Sequence, residues 1–128
     1  MKNPFDLKNR VAIVTGALGL IGKQHCIALA EANANVVVAD LDEVVAQKFA
    51  LELPTKSIGY KLDVTSPDSI VKLKSAVLDE FGHIDILVNN AAINDMFEDP
   101  KTAGDQSKFE NYPLEMWEKS IKVNLTGV

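Results

Sequence analysis

Val11-Ala12-Ile13-Val14, a run with no polar side chain, leads through Thr15 into glycines at Gly16, Gly19 and Gly22 and then into a stretch with helical periodicity. A continuous apolar run of this length is buried on both faces, as in a parallel sheet with helices on either side. Ile21, His25, Ala28, Leu29 and Ala32 then fall on one stripe at helical spacing. The helix is expected to stop near Asn33, since asparagine tolerates the left-handed conformation that ends helices. Val36-Val37-Val38-Ala39 reads as a second buried strand, closed by Asp40.

The alternation continues. Asp42 or Leu41 opens a helix that turns Val45, Ala46, Phe49, Ala50 and Leu53 inward, and Pro54 stops it. Residues 57–62 read as a short third strand. Ser66-Pro67-Asp68 is a helix start: a capping hydroxyl, a proline at the first turn and a carboxylate facing the dipole. Ile70, Leu73, Val77 and Phe81 supply that helix's stripe, Gly82 ends it, and Ile84-Asp85-Ile86-Leu87-Val88 is the fourth strand. The predicted order is therefore βαβαβαβ, with strands near 11–15, 36–40, 57–62 and 84–89. Short strand–helix connections of this kind give an α/β, doubly wound parallel sheet with right-handed crossovers.

A strand that runs into glycines and then a helix presents backbone amides at the positive end of a helix dipole, a seat for phosphate. Gly16 suits the tight turn, Gly19 close backbone approach to a pyrophosphate, and Gly22 close packing of helix on strand. The spacing is G-x-x-G-x-x-G rather than G-x-G-x-x-G. Asp40 ends the second strand 24 residues after Gly16. A carboxylate there would meet the adenosine ribose 2′-hydroxyl, free in NAD and phosphorylated in NADP. It repels the phosphate, and neither the loop nor Leu41 offers a cation in compensation, so NAD is expected over NADP. The alternative role for Asp40 is a cap on the following helix.

Composition narrows the class. The chain has 128 residues, 47% of them apolar, and a formal charge of −5, which suits one modest domain with a real core. Lys56, Lys61, Lys72 and Lys74 recur, but acidic residues interleave with them, so no nucleic-acid partner is expected. The first residues lack the apolar core of a signal peptide, and no apolar run is long enough to span a bilayer. A cytoplasmic protein without a membrane partner is expected. Cys26 is the single cysteine, read as a small packed side chain, and His25 and His83 lie far apart, so no metal is assigned.

Beyond Val88 the pattern changes. Residues 93–112 are polar and punctuated by Pro100 and Gly104, long for a structureless connection. Phe97 and Phe109 are candidate members of a substrate lid, with a mobile loop or a subunit contact as the equal alternative. The helical period returns after Pro113 through Leu114, Trp117, Ile121 and Leu125, with Trp117 expected in core or helix–helix packing rather than at substrate.

Taken together, Thr15-Gly16-Ala17-Leu18-Gly19-Leu20-Ile21-Gly22, Asp63-Val64, Asn89-Asn90-Ala91-Ala92 and Val123-Asn124-Leu125 occur in the order and spacing of the short-chain dehydrogenases/reductases. The chain resembles the N-terminal half of that family from about residue 8 onward. The resemblance implies a single NAD(P)-binding Rossmann domain over residues 1–128, incomplete, with the sheet cut off after its fourth strand and the next helix. It implies a pyrophosphate loop of Gly16, Leu18, Gly19, Leu20, Ile21 and Gly22, with Asp40 and Leu41 at the ribose. Asp63 and Val64 then lie at the adenine, and Asn90, Ala91 and Ala92 along the riboses. Asn124 resembles the helix asparagine of the catalytic tetrad, which helps hold a water in the proton relay. Asn89 is expected to hold neighbouring loops to the sheet. Asp63 could instead simply make a turn with Thr65 and Ser66.

Two departures stand out. Leu20 occupies a position where the classical branch has glycine, which brings the loop nearer the extended branch of sugar-nucleotide epimerases and dehydratases. Asn89-Asn90-Ala91-Ala92 and the setting of Asn124 are classical. The family's proton donor is a tyrosine with a lysine four residues later. The two tyrosines here, Tyr60 and Tyr112, are followed at that distance by Val64 and Met116. The expected activity is thus the cofactor-binding part of an oxidoreductase acting on a small carbonyl or alcohol. Its alternatives are a non-catalytic nucleotide-binding module, an extended-type relative, or a piece without a function of its own. A fourth strand with an unpaired edge also points to a homo-oligomer.

Overall fold

The computed structural model describes residues 3–94, 104 and 108–128. Val11–Thr15 (β1), Asn35–Asp40 (β2), Ile58–Lys61 (β3) and Ile86–Val88 (β4) form one parallel sheet in the order β3-β2-β1-β4. Leu20–Glu31 (α1), Glu43–Glu52 (α2) and Pro67–Phe81 (α3) are the crossovers. This is a Rossmann-like arrangement: the chain steps outward from β1 to β3, and α3 brings it back to β4 on the other side of β1.

The two central strands are buried on both faces, as their composition requires. Val14, Val36 and Val38 pack with Cys26, Ala30, Ala46 and Ala50 on the α1 and α2 side. Val11, Ile13, Val37 and Ala39 pack with Leu62, Leu73 and Val77 on the α3 side. Each fully buried valine contributes about 1.5–3 kcal/mol relative to an exposed one.

Helix ends follow the expected chemistry with one shift. Ser66 caps α3 through its hydroxyl and Gly82 closes it at φ 81°. Asn33 stands just past α1 at φ 72°. α1 itself begins earlier than expected, with Gly19 as its N-cap and Gly22 already in the first turn. Its buried face is consequently Gly22, Cys26 and Ala30. Ile21 and Ala28, expected inward, are exposed. Small residues at that four-residue spacing let the helix approach β1 more closely than an Ile21 stripe would allow. On α2, Ala46, Ala50 and Leu53 are buried as expected, whereas Val45 is exposed.

The fourth strand starts later than the apolar pattern implied, because Asp85 is used for a side-chain tie. Its carboxylate accepts Val11 N at 2.8 Å and Arg10 Nη1 at 2.8 Å, and His83 Nε2 lies 3.2 Å away. The Val11 amide, followed by the Arg10 bond, holds the Asp85 carboxyl below its ordinary value of 3.8. A carboxyl lowered on folding adds stability above its ordinary value, and that stability is lost as pH falls through the lowered one. Asp85→Asn is therefore expected to flatten the acid limb of a urea-stability profile. An acid limb as steep as that of the unaltered chain would show that the tie carries no linkage.

The chain divides into two compact units, Met1–Asn90 and Ala91–Val128. The second holds a 3-10 turn at Phe109–Asn111, an α-helix at Leu114–Ile121 (α4) and a π-helical turn at Lys122–Thr126. None of its described residues is buried. Trp117, expected in core or helix–helix packing, is 57% exposed, and Leu114, Ile121 and Leu125 share its exposed stripe. Among the described residues of this unit the two-turn helix has no second layer to pack on.

Candidate functional site

Parallel strands place the carboxyl ends of β1, β2 and β3 along one edge, and ligands of open α/β sheets bind at such an edge where the strand order reverses. Here that point lies beside β1. The segment leaving β1 turns at Gly16, whose φ of 60° is strained for any side-chain-bearing residue. Gly19 N donates to Gly16 O at 3.2 Å, closing the turn, and Ala17 N donates to Ala39 O at 3.2 Å.

Asn90 fastens the turn from the β4 side. Its Nδ2 donates to Thr15 O and Gly16 O, each at 3.0 Å, and its backbone N donates to Thr15 Oγ1 at 3.1 Å. Thr15 Oγ1 in turn donates to Val88 O at 3.3 Å. The tie to neighbouring loops therefore belongs to Asn90, and the exposed Asn89 does not make it. The sequence motif includes Thr15 without giving it a role of its own, although it is the single buried polar residue among the described residues. A hydroxyl ending an otherwise apolar strand was the available signal.

Gly22 packs α1 onto the turn. A Cβ there would collide with Gly16 O and sit 2.8 Å from Ala17 Cα and 2.9 Å from Asn90 Nδ2. Gly19, by contrast, meets only Gly16 O at 3.4 Å and is otherwise open. α1 is also the helix with no side-chain cap and no acidic residue in its first turn, whereas Asp42 and Ser66 cap α2 and α3. The first amides of a helix have no partner within it and carry partial positive charge. Those of α1 open beside the turn, flanked by the exposed side chains of Leu20 and Ile21. The arrangement can hold an anion.

Asp40 stands at the neighbouring strand end. Its Oδ2 accepts Leu18 N at 2.9 Å and its Oδ1 accepts Leu41 N at 2.7 Å. The helix cap is Asp42, which accepts Val45 N at 3.0 Å, so the capping role considered for Asp40 is not its own. A carboxylate has about four acceptor positions, so two remain for a diol. The sheet register adds a residue that sequence spacing hid: Lys61 is the cross-strand partner of Asp40. In-register residues of parallel strands lie on the same face, so Lys61 shares a face of the sheet with Asp40, although no ion pair joins the two. Asp63 Oδ1 accepts both Thr65 N at 2.8 Å and Thr65 Oγ1 at 2.7 Å, forming the turn that its sequence context allowed. Val64 is half-buried against the α3-side core.

A family model described as short chain dehydrogenase matches residues 10–128. The chain belongs to the short chain dehydrogenase family. It is 36% identical over 128 residues to a short chain dehydrogenase/reductase of Aspergillus oryzae, covering 97% of this chain and 46% of that protein. A galactitol 2-dehydrogenase of Agrobacterium fabrum is 38% identical over 121 residues, 94% of this chain and 43% of its own. An NAD-dependent glycerol dehydrogenase of Listeria innocua is 31% identical over 123 residues, 96% and 44% respectively. The chain spans about half the length of these relatives.

Within the second unit, Asn124 lies in the π-helical turn. Its Oδ1 accepts Ile93 N at 2.8 Å and its Nδ2 donates to Ile93 O at 3.0 Å. A π turn often marks a functional position in a helix, and this one coincides with the asparagine singled out by resemblance. Ala91 is half-buried and Ala92 exposed. Phe97 lies outside the described residues; Phe109 is almost wholly exposed. Cys26 is buried, and burial pushes its thiol up to about 12, which keeps it unreactive. Among the described residues no group of three or more potential ligands could hold a metal ion, and no helix is long and apolar enough to cross a membrane.

Proposed function

We propose that this chain is the NAD-binding part of an oxidoreductase that moves hydride between the nicotinamide and a small carbonyl or alcohol. The observation that carries the reading is the uncapped start of α1 beneath the Gly16 turn, with Asp40 at the adjoining strand end. The residues fit the dinucleotide: the amides around Gly19, Leu20 and Ile21 would receive the diphosphate, and the remaining acceptor positions of Asp40 the ribose hydroxyls. Asp63, Val64 and Leu41 would flank the adenosine, and Asn90, Ala91 and Ala92 would lie along the riboses. When bound, the cofactor supplies the hydride. Asn124 would help order the proton path. Family membership supports NAD(P) in general, and the charge of Asp40 favours NAD despite Lys61.

A glycerol and a galactitol dehydrogenase among the relatives support an alcohol or carbonyl substrate. The tyrosine–lysine pair that resemblance assigns to proton delivery is not among these 128 residues, so binding is the role we assign here. Titration calorimetry tests it. NAD should bind, and NADP about tenfold more weakly, since like charges a few ångströms apart near a surface repel by on the order of 1–4 kcal/mol. Silence with both nucleotides, or tighter binding of NADP, would overturn the reading.

In this reading the protein is cytoplasmic and self-associates. β4 is an edge strand among the described residues, and its Leu87 is 58% exposed. Light scattering on the chain is expected to give a mass above that of the monomer, because an exposed apolar edge pairs readily. A monomer at high concentration contradicts it.

A further inference from the structure

Asp40 does more in this structure than end a strand. Of the hydrogen bonds that hold the turn, those of Gly16, Ala17 and Gly19 use neutral partners, whereas Leu18 N at the tip is held by a carboxylate oxygen at 2.9 Å. A bond to an ionised acceptor is roughly twice as strong as a neutral one. The second oxygen is fixed by Leu41 N at 2.7 Å, so the carboxylate is itself held in place. The Ala39 carbonyl next to it takes Ala17 N, and Leu62 N donates to the Asp40 carbonyl at 2.8 Å, which ties the strand end to the segment after β3. The tip of the turn is thus anchored to the interior of the sheet through one side chain.

We propose that Asp40 is a positioning residue for the glycine turn: by holding the Leu18 amide, its carboxylate sets the turn in the form that presents amides to a diphosphate. Recognition at the adenosine ribose and at the diphosphate is then coupled through one carboxylate. This deepens the nucleotide-binding reading and rests on it for its functional half, but the loop-holding half concerns the free protein. A residue that only reads ribose hydroxyls would leave the diphosphate seat unchanged when replaced. A residue that also shapes the turn would not.

Two measurements separate these cases. In the chain without nucleotide, Asp40→Ala should speed exchange of the Leu18 amide by about tenfold, the loss of one bond to a charged acceptor. The Val14 and Val38 amides of the central strands serve as reference, so that general destabilisation is subtracted. Should Asp40→Ala not fold, the unaltered chain answers instead: the Leu18 amide proton shift should follow the acid titration of the Asp40 carboxyl carbon. Leu18 exchange unchanged relative to the strands, or a Leu18 shift that ignores that titration, overturns the proposal whether or not NAD binds.

The second measurement uses ADP and its 2′,3′-dideoxy analogue as probes. Asp40→Ala should weaken the analogue, which has no hydroxyls to read, by about five- to tenfold, while Asp40→Asn, which keeps an acceptor, should weaken it less. Loss confined to ADP would reduce Asp40 to a reader of hydroxyls and overturn the coupling. Failure of the unaltered chain to bind either probe would instead defeat the nucleotide-binding reading, with the Leu18 result still standing.

Discussion

Gly22→Ala is expected to cost about 3 kcal/mol of stability, at the upper end for an overpacked site, and to lower NAD affinity on the order of 100-fold. The added methyl group would run into Gly16 O and lie 2.8 Å from Ala17 Cα and 2.9 Å from Asn90 Nδ2. Two of these neighbours are backbone atoms of the turn itself and cannot rotate away. The third is the amide that fastens the turn, so moving it breaks the bonds to Thr15 O and Gly16 O. Either α1 withdraws from β1 or the turn opens, and both displace the amides that would receive the diphosphate. Urea denaturation and calorimetry on the same variant check the two effects. Near-native NAD affinity in a folded Gly22→Ala would show that close packing of α1 on the turn is irrelevant to binding.

Gly22 was legible because three glycines at fixed offsets after a buried strand leave few other roles. The same holds for Ser66-Pro67 and Gly82, where local chemistry alone decides the backbone. What the sequence hid are the contacts set by register and by close approach. Lys61 faces Asp40 only because β3 pairs with β2 one strand outward. The buried face of α1 is Gly22, Cys26 and Ala30 because packing distance, not hydrophobicity, selected it, and a stripe drawn through Ile21 weighs only hydrophobicity. Asn89 and Asn90 are adjacent amides of equal propensity just past β4, and only the folded backbone shows that Asn90 is the one that reaches Thr15. Asp85 read as one residue of an apolar strand, although its carboxylate pins the start of β1.

Gly59→Ala is the complementary case, with a large effect on the fold. Nothing near the phosphate seat marks this residue, and a glycine inside a strand points only to close backbone approach. In the structure a Cβ at Gly59 would collide with Ala46 C, Ala46 O and Gln47 N of α2. All three are main-chain atoms of a helix whose Ala46 and Ala50 are buried against β2, so relief requires α2 to lift from the sheet as a body. The expected loss is about 3 kcal/mol or more, a large share of the roughly 5–15 kcal/mol that holds a small domain folded. Leu51→Ala on the outer face of the same helix, where the side chain is 84% exposed, should change stability by no more than about 0.5 kcal/mol. Urea midpoints of the two variants, read by far-UV circular dichroism, decide the matter. If the two midpoints coincide, α2 does not press on β3 at Gly59, and the β2–β3 register that sets Lys61 opposite Asp40 loses its support.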